Sequence, residues 1–282
     1  MKRACSAVLI ICSLFLGVTS AAALSQKAVP AKAAVVIDSS GEVLYAKFPN
    51  ARLAPASTVK LVTAMVVLDM LDPSKSIKVG VEASRVKSIQ PRLCPDDEFT
   101  VSDLLRFALM KSINGAAVAL AAEAAGSEEA FAALMNLKAA SIGANNTRFA
   151  NASGLPKGVQ YTTASDLVLI MKAALSYPLI KEILGTKACM VTAANGRTIF
   201  LENSNDLLWQ EQNMIGGKTG YTGNARHCFV GAINTEKGPL FTAVLGARSR
   251  SSLWRSLLML DVIGINLEQA SLVQKPGSEG QQ

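Results

Sequence analysis

The chain has 282 residues, half of them hydrophobic, 17% charged, and a formal net charge of +7. That length and composition allow one large domain with a sizeable core and exclude a disordered or collagen-like chain. The cations do not cluster into a stripe, which argues against a nucleic-acid partner.

Residues 1–23 read as a targeting segment: Lys2 and Arg3, then an apolar run from Ala7 to Val18, then the small residues Ser20, Ala21, Ala22 and Ala23. The run is shorter than the roughly 20 residues that span a bilayer, so cleavage is expected rather than anchoring. No later apolar run reaches spanning length, so no firm membrane anchor is expected and the protein reads as exported, on the periplasmic or cell-wall side. Loss of Lys2 and Arg3 lowers the net charge by two, and the remaining mild positive balance suits an anionic environment or ordinary solubility. Cys94, Cys189 and Cys228 remain after cleavage, allowing at most one internal disulfide and leaving one thiol over. His227 beside Cys228 offers too few ligands for a metal, so neither a metal nor a cofactor is expected.

After the leader, residues 33–37 and 43–46 flank the turn Ser39-Ser40-Gly41-Glu42 and predict an antiparallel hairpin. A helix carrying Ser57 follows to about Met70, apolar on most sides and therefore expected to be central. Thr100 to Asp103 can cap a helix reaching Met110. Further helices are expected over 114–125, 127–142, 163–176 and 178–184, giving a helical insert spanning about 72–185. Strand character returns over 187–192, 196–201, 228–234 and 240–246. A closing helix covers about 251–263, and residues 271–282 form a polar tail. The catalytic domain is thus expected over 24–270.

Ser57 and Lys60 are three apart, so a helix places them on one face, where the amine can take the hydroxyl proton. That spacing arises by chance about once in an ordinary chain. Two later fragments give it weight: Ser112-Ile113-Asn114 and Lys218-Thr219-Gly220. In this order they match the three-part signature of serine acyl-transfer enzymes that handle D-alanyl peptides or β-lactams. At a helix start the Ser57 N–H is free to serve a developing oxyanion, and the backbone of Tyr221 is the candidate second donor. Lys60 must be neutral to act as a base, which burial and a nearby Lys218 both favour. Alternatively it stays charged while water or Ser112 relays protons. Ser112 can shuttle a proton to the leaving amine, and the Asn114 amide can hold a substrate backbone group. The glycines around Lys218 suit an edge strand lying against ligand backbone, with Lys218 and Thr219 receiving a terminal carboxylate and Gly220 leaving room for close approach.

With these residues the chain resembles the low-molecular-mass penicillin-binding proteins, specifically the serine-type D-alanyl-D-alanine carboxypeptidase family. The likeness extends from about residue 30 to 265. It includes Leu53-Ala54-Pro55-Ala56-Ser57, the alanine-rich run from Asn114 to Ala121, Phe149 to Leu155, and Tyr161 to Leu167. It implies an α/β (α+β) fold of the β-lactamase/transpeptidase type, an antiparallel sheet flanked by helices with an inserted helical subdomain. It further implies acylation of Ser57 by a peptidoglycan stem peptide ending in D-Ala-D-Ala, and by β-lactams as inhibitors. Three positions depart from the family pattern. Ile113 stands where many relatives have glycine, and Ala225-Arg226 where Ala-Gly is common. Leu253 falls near the place of an arginine that often grips the substrate carboxylate; Arg248, Arg250 and Arg255 are the alternatives nearby, of which Arg250 is taken for that role. The C-terminal β-domain and amphipathic anchor of larger relatives do not fit after residue 265. The same fold also serves β-lactamases, D-alanyl endopeptidases and inactive wall-binding modules. The stretch 147–163 carries no Asp or Glu to activate a deacylating water, which favours the carboxypeptidase.

Overall fold

The computed structural model describes residues 29–273, so the expected leader and most of the polar tail lie outside the described residues. Strands β1 (Ala33–Ile37) and β2 (Val43–Lys47) form the expected hairpin. A 3-10 turn (Ala56–Val59) runs directly into α1 (Lys60–Met70). Then come β3 (Ser76–Lys78), α2 (Val81–Arg85), β4 (Glu98–Thr100), α3 (Val101–Met110), α4 (Asn114–Ala125) and α5 (Glu128–Ser141). After these follow α6 (Ala164–Ala174), α7 (Pro178–Gly185), the hairpin β5 (Ala188–Thr192) and β6 (Thr198–Glu202), and the short α8 (Leu207–Gln210). The chain closes with β7 (Met214–Thr222), β8 (Arg226–Thr235), β9 (Gly238–Ala247) and α9 (Arg250–Val273).

Local chemistry starts these helices where the side chains suggest. Thr100 and Asp103 form a reciprocal capping box on α3, while Ser127 caps α5 and Thr163 caps α6. Each cap satisfies backbone donors that a helix start cannot bond internally, a contribution of about 1 kcal/mol.

Among the described residues the main sheet has five antiparallel strands in the order β2-β1-β9-β8-β7. Side-chain alternation divides its apolar residues between two cores. Ala33 and Val35 belong to the larger core with α1, α3, α4 and α6; Ala34 and Val36 belong to a smaller one with Leu253, Leu257 and Leu260 of α9. Helices thus cover both faces, and β7 is left as an edge. This is the α/β architecture of an antiparallel sheet flanked by helices.

The helical part differs from the expected 72–185 insert in three ways. It contains the small β3-β4 sheet, and α6 packs on the main sheet as well as on α1. Strands β5 and β6, expected in the main sheet, pair only with each other and join the helical side through Ala194 N–H to Glu98 O at 2.9 Å and an Arg197–Asp97 ion pair. These strands are five residues each; Val191, Ile199 and Leu201 on their inward face join the larger core, which fixes the hairpin on the helical side, while Met190 and Phe200 face outward. Cys94, Cys189 and Cys228 are all free thiols.

Candidate active site

Ser57 is the second residue of the 3-10 turn, and Lys60 opens α1. A 3-10 turn has three residues per revolution, so positions three apart eclipse one another more closely than in an α-helix. The Lys60 amine accordingly lies 2.8 Å from Ser57 Oγ. The turn is held from two sides. Gly154 (φ 81°) passes so close that a Cβ there would sit 2.0 Å from the Ala56 carbonyl oxygen, and a Cβ on Gly220 of β7 would sit 3.0 Å from Ser57 N. Ala56 itself adopts φ 50°, a left-handed conformation costing about 1–3 kcal/mol that persists only under such constraint.

The amine of Lys60 is fully buried. It donates to Asn114 Oδ1 at 2.7 Å and to the Ser153 carbonyl at 2.6 Å, both atoms that only accept. A neutral amine has two N–H bonds and one lone pair, so these two acceptors leave the lone pair for the Ser57 hydroxyl. Burial, and then the charge of Lys218, hold the Lys60 amine well below the usual lysine range. Lys218 is also fully buried and is pushed down to about 7 by desolvation; its Nζ donates to the Thr219 carbonyl at 2.8 Å.

Ser57, Ser112, Asn114, Thr219, Gly220, Tyr221 and Arg250 line one cleft of about 330 Å3. Ser112 stands in a left-handed conformation (φ 62°) between α3 and α4, and its hydroxyl makes no hydrogen bond to Ser57 or Lys60. Asn114, expected to grip substrate, is turned toward Lys60. Its Nδ2 donates to the Lys87 carbonyl at 2.7 Å and its backbone N–H to Ser88 Oγ at 2.9 Å, so the amide serves first to hold the lysine. One amide N–H remains for a ligand. Lys218 lies beneath the cleft wall, so its charge reaches a ligand as a field rather than a contact; Thr219 supplies the surface group, 2.7 Å from Ser204 Oγ. Tyr221 follows on the sheet edge, where alternate N–H groups point out of the ladder, and its ring packs on His227 at 4.5 Å. Arg250 reaches the cleft but is forked onto Asp206 at 2.7 and 3.2 Å. Leu253 lines the same wall, buried, whereas Arg248 lies in a different cavity.

Sequence reasoning missed Ser153, Ser204 and Asp206. Ser153 contributes a carbonyl, which no residue type advertises. Its loop is shaped by Asn151, whose Oδ1 accepts from Gly154 N–H at 2.7 Å and Ser153 Oγ at 3.1 Å. The asparagine–glycine pair in that run is the one signal that could have flagged it.

Residues 20–249 match the family described as D-alanyl-D-alanine carboxypeptidase. The chain belongs to the serine-type D-alanyl-D-alanine carboxypeptidase family. Among relatives, the D-alanyl-D-alanine carboxypeptidase DacF of Bacillus subtilis is 34% identical over 259 residues, covering 88% of this chain and 67% of that one. A D-alanyl-D-alanine endopeptidase of Escherichia coli is 35% identical over 233 residues, covering 81% and 75%. The crystal structure of a D-alanyl-D-alanine carboxypeptidase from Mycobacterium tuberculosis superposes with a TM-score of 0.79 at 34% identity, covering 84% of this chain and 91% of that one. A mutant of the Streptomyces K15 DD-transpeptidase gives 0.80 at 27% identity, covering 84% and 98%. Membership of this carboxypeptidase family makes the chain a hydrolase of the D-alanyl-D-alanine class.

Proposed function

We propose that the chain is a serine D-alanyl-D-alanine carboxypeptidase that trims the terminal D-alanine from stem peptides through an ester on Ser57. The observation that carries this is the buried Lys60 amine, set between Ser57 Oγ and two carbonyl-type acceptors. Ser57 Oγ attacks the penultimate D-alanine carbonyl as its proton passes to Lys60. The Ser57 and Tyr221 N–H groups receive the oxyanion. Lys60 returns the proton by way of Ser112 to the departing D-alanine nitrogen, and the carbon–nitrogen bond breaks. Water then enters, gives a proton to Lys60 and attacks the ester; the proton passes to Ser57 Oγ as the shortened peptide leaves. Thr219, backed by the charge of Lys218, receives the terminal carboxylate, and Arg250 assists once it parts from Asp206. The leader pattern of residues 1–23 supports action on the exported side, where stem peptides occur.

A D-alanyl endopeptidase reading stays alongside because a 35% identical relative carries that name and the acyl transfer is the same. A β-lactamase is disfavoured: among the described residues no carboxylate lines the cleft.

The test is intact-mass spectrometry of the purified protein after benzylpenicillin, with Ser57→Ala alongside, together with D-alanine release from a D-Ala-D-Ala peptide. A stable adduct on the native protein only, and D-alanine release only by the native protein, is the expected result. Undiminished release by Ser57→Ala would overturn the proposal.

A further inference from the structure

A second cavity, of about 650 Å3, lies away from Ser57 at the end of the main sheet. Lys32, Lys47, Arg226 and Arg248 all line it, and among the described residues no carboxylate does. Among the described residues none of the four belongs to an ion pair, although seven pairs form elsewhere. Four like charges around one concavity repel each other, and salt screens this only in part. Two of them are nevertheless held in place. Lys47 Nζ donates to the Val29 carbonyl at 2.7 Å. The stem of Lys32 lies across Gly246, where a Cβ would meet its Cγ and Cδ at 2.8 Å.

Arg226 supplies the third observation. It opens β8 with φ 62°, a left-handed conformation that glycine adopts without penalty and an arginine does not. It is followed directly by His227, which lines the Ser57 cleft, so adjacent residues of one strand serve two different cavities. The left-handed return of the β7–β8 hairpin thus sets a guanidinium beside three other cations, with no acidic side chain among the described lining residues to offset them.

We propose that this cavity binds a multiply charged oxyanion, a run of phosphates or a cluster of carboxylates, at a site separate from Ser57. Guanidinium forks match both groups bidentately, and lysines add charge without directional demand. The four cations call for several negative charges, so a single carboxylate such as a peptide terminus is a poor match. The concavity favours a discrete group entering it over a flat lipid surface. The site is independent of the reading at Ser57 and survives if that reading fails.

The experiment is titration calorimetry of the purified protein with tripolyphosphate and with citrate at low salt, comparing native with Arg226→Gly and Arg248→Gln. Native protein is expected to bind at least one of the two, and each substitution to weaken binding tenfold or more. The tighter probe identifies phosphate or carboxylate as the recognised group. Arg226→Gly relieves the left-handed strain, so its melting temperature is expected not to fall, and its acylation by benzylpenicillin to match native. Absence of binding to both probes, or equal affinity in both variants, would overturn the site. So would flotation with phosphatidylglycerol vesicles that tripolyphosphate fails to compete, which would assign the cations to a membrane surface.

Discussion

Lys60 is where the chemistry is most sensitive to single atoms. Its neutral form depends first on burial and then on Lys218. Below pH about 7 Lys218 carries its charge and repels a proton from Lys60. Lys218→Met removes that repulsion and leaves burial alone, so Lys60 regains part of its proton affinity. The acid limb of the pH profile for benzylpenicillin acylation is expected to move to higher pH; an unmoved limb would separate the two lysines functionally. Asn114→Ala removes one of the two acceptors that orient the amine. A lost hydrogen bond to a charged or buried group is worth about 1–3 kcal/mol, so acylation should slow by about ten- to a hundredfold. Stopped-flow acylation measures it, and a native rate would return Asn114 to a ligand-only role. At this scale the sequence was informative where chemistry depends on residue type at short separation, as with Ser57 and Lys60. It was silent on the Ser153 carbonyl, which any residue could supply, and on the bond from Lys60 to Asn114, which lies 54 residues away.

The elements around the nucleophile are set by contacts that glycines permit. A Cβ on Gly220 would meet Ser57 N at 3.0 Å, Ala56 Cβ at 3.1 Å and Thr58 N at 3.3 Å, all on the 3-10 turn. In Gly220→Ala the turn must retreat by a few tenths of an ångström, moving Ser57 relative to Lys60. Nucleophiles tolerate such displacement poorly, so acylation is expected to drop at least about tenfold while circular dichroism stays native. An unchanged acylation rate would show that the strand and turn yield elsewhere. Capped helices such as α3, α5 and α6 were legible because Thr100, Ser127 and Thr163 act locally. The β3-β4 pair was not, being three residues a side, too short for a period-two pattern to register. The β5-β6 hairpin was visible as two strands, but alternation alone does not say which sheet a strand joins.

Over the whole molecule, α9 carries an acidic group into the smaller core. Asp261 has one oxygen 3.3 Å from Thr242 Oγ1 and the other unbonded, and desolvation pushes its carboxyl up to about 7. The folded state therefore binds this proton more tightly than the unfolded chain, and its contribution to stability is lost as pH rises from about 4 to 7. The penalty above pH 7 is on the order of a few kcal/mol. Asp261→Asn removes the titration, so its stability relative to native should rise between pH 5 and pH 8 in urea unfolding. A constant difference would mean that the carboxyl titrates normally.

Just after β6 the chain returns toward the main sheet through Ser204, whose N–H donates to the Met110 carbonyl at 2.9 Å and whose hydroxyl meets Thr219 at 2.7 Å. The helical side and the sheet side are therefore stitched together at the floor of the cleft, two residues from Ser112. Two lobes joined there cannot swing apart like a jaw without breaking both links. Encounter with a ligand should then need no preceding slow rearrangement: acylation traces should be single exponentials without a lag.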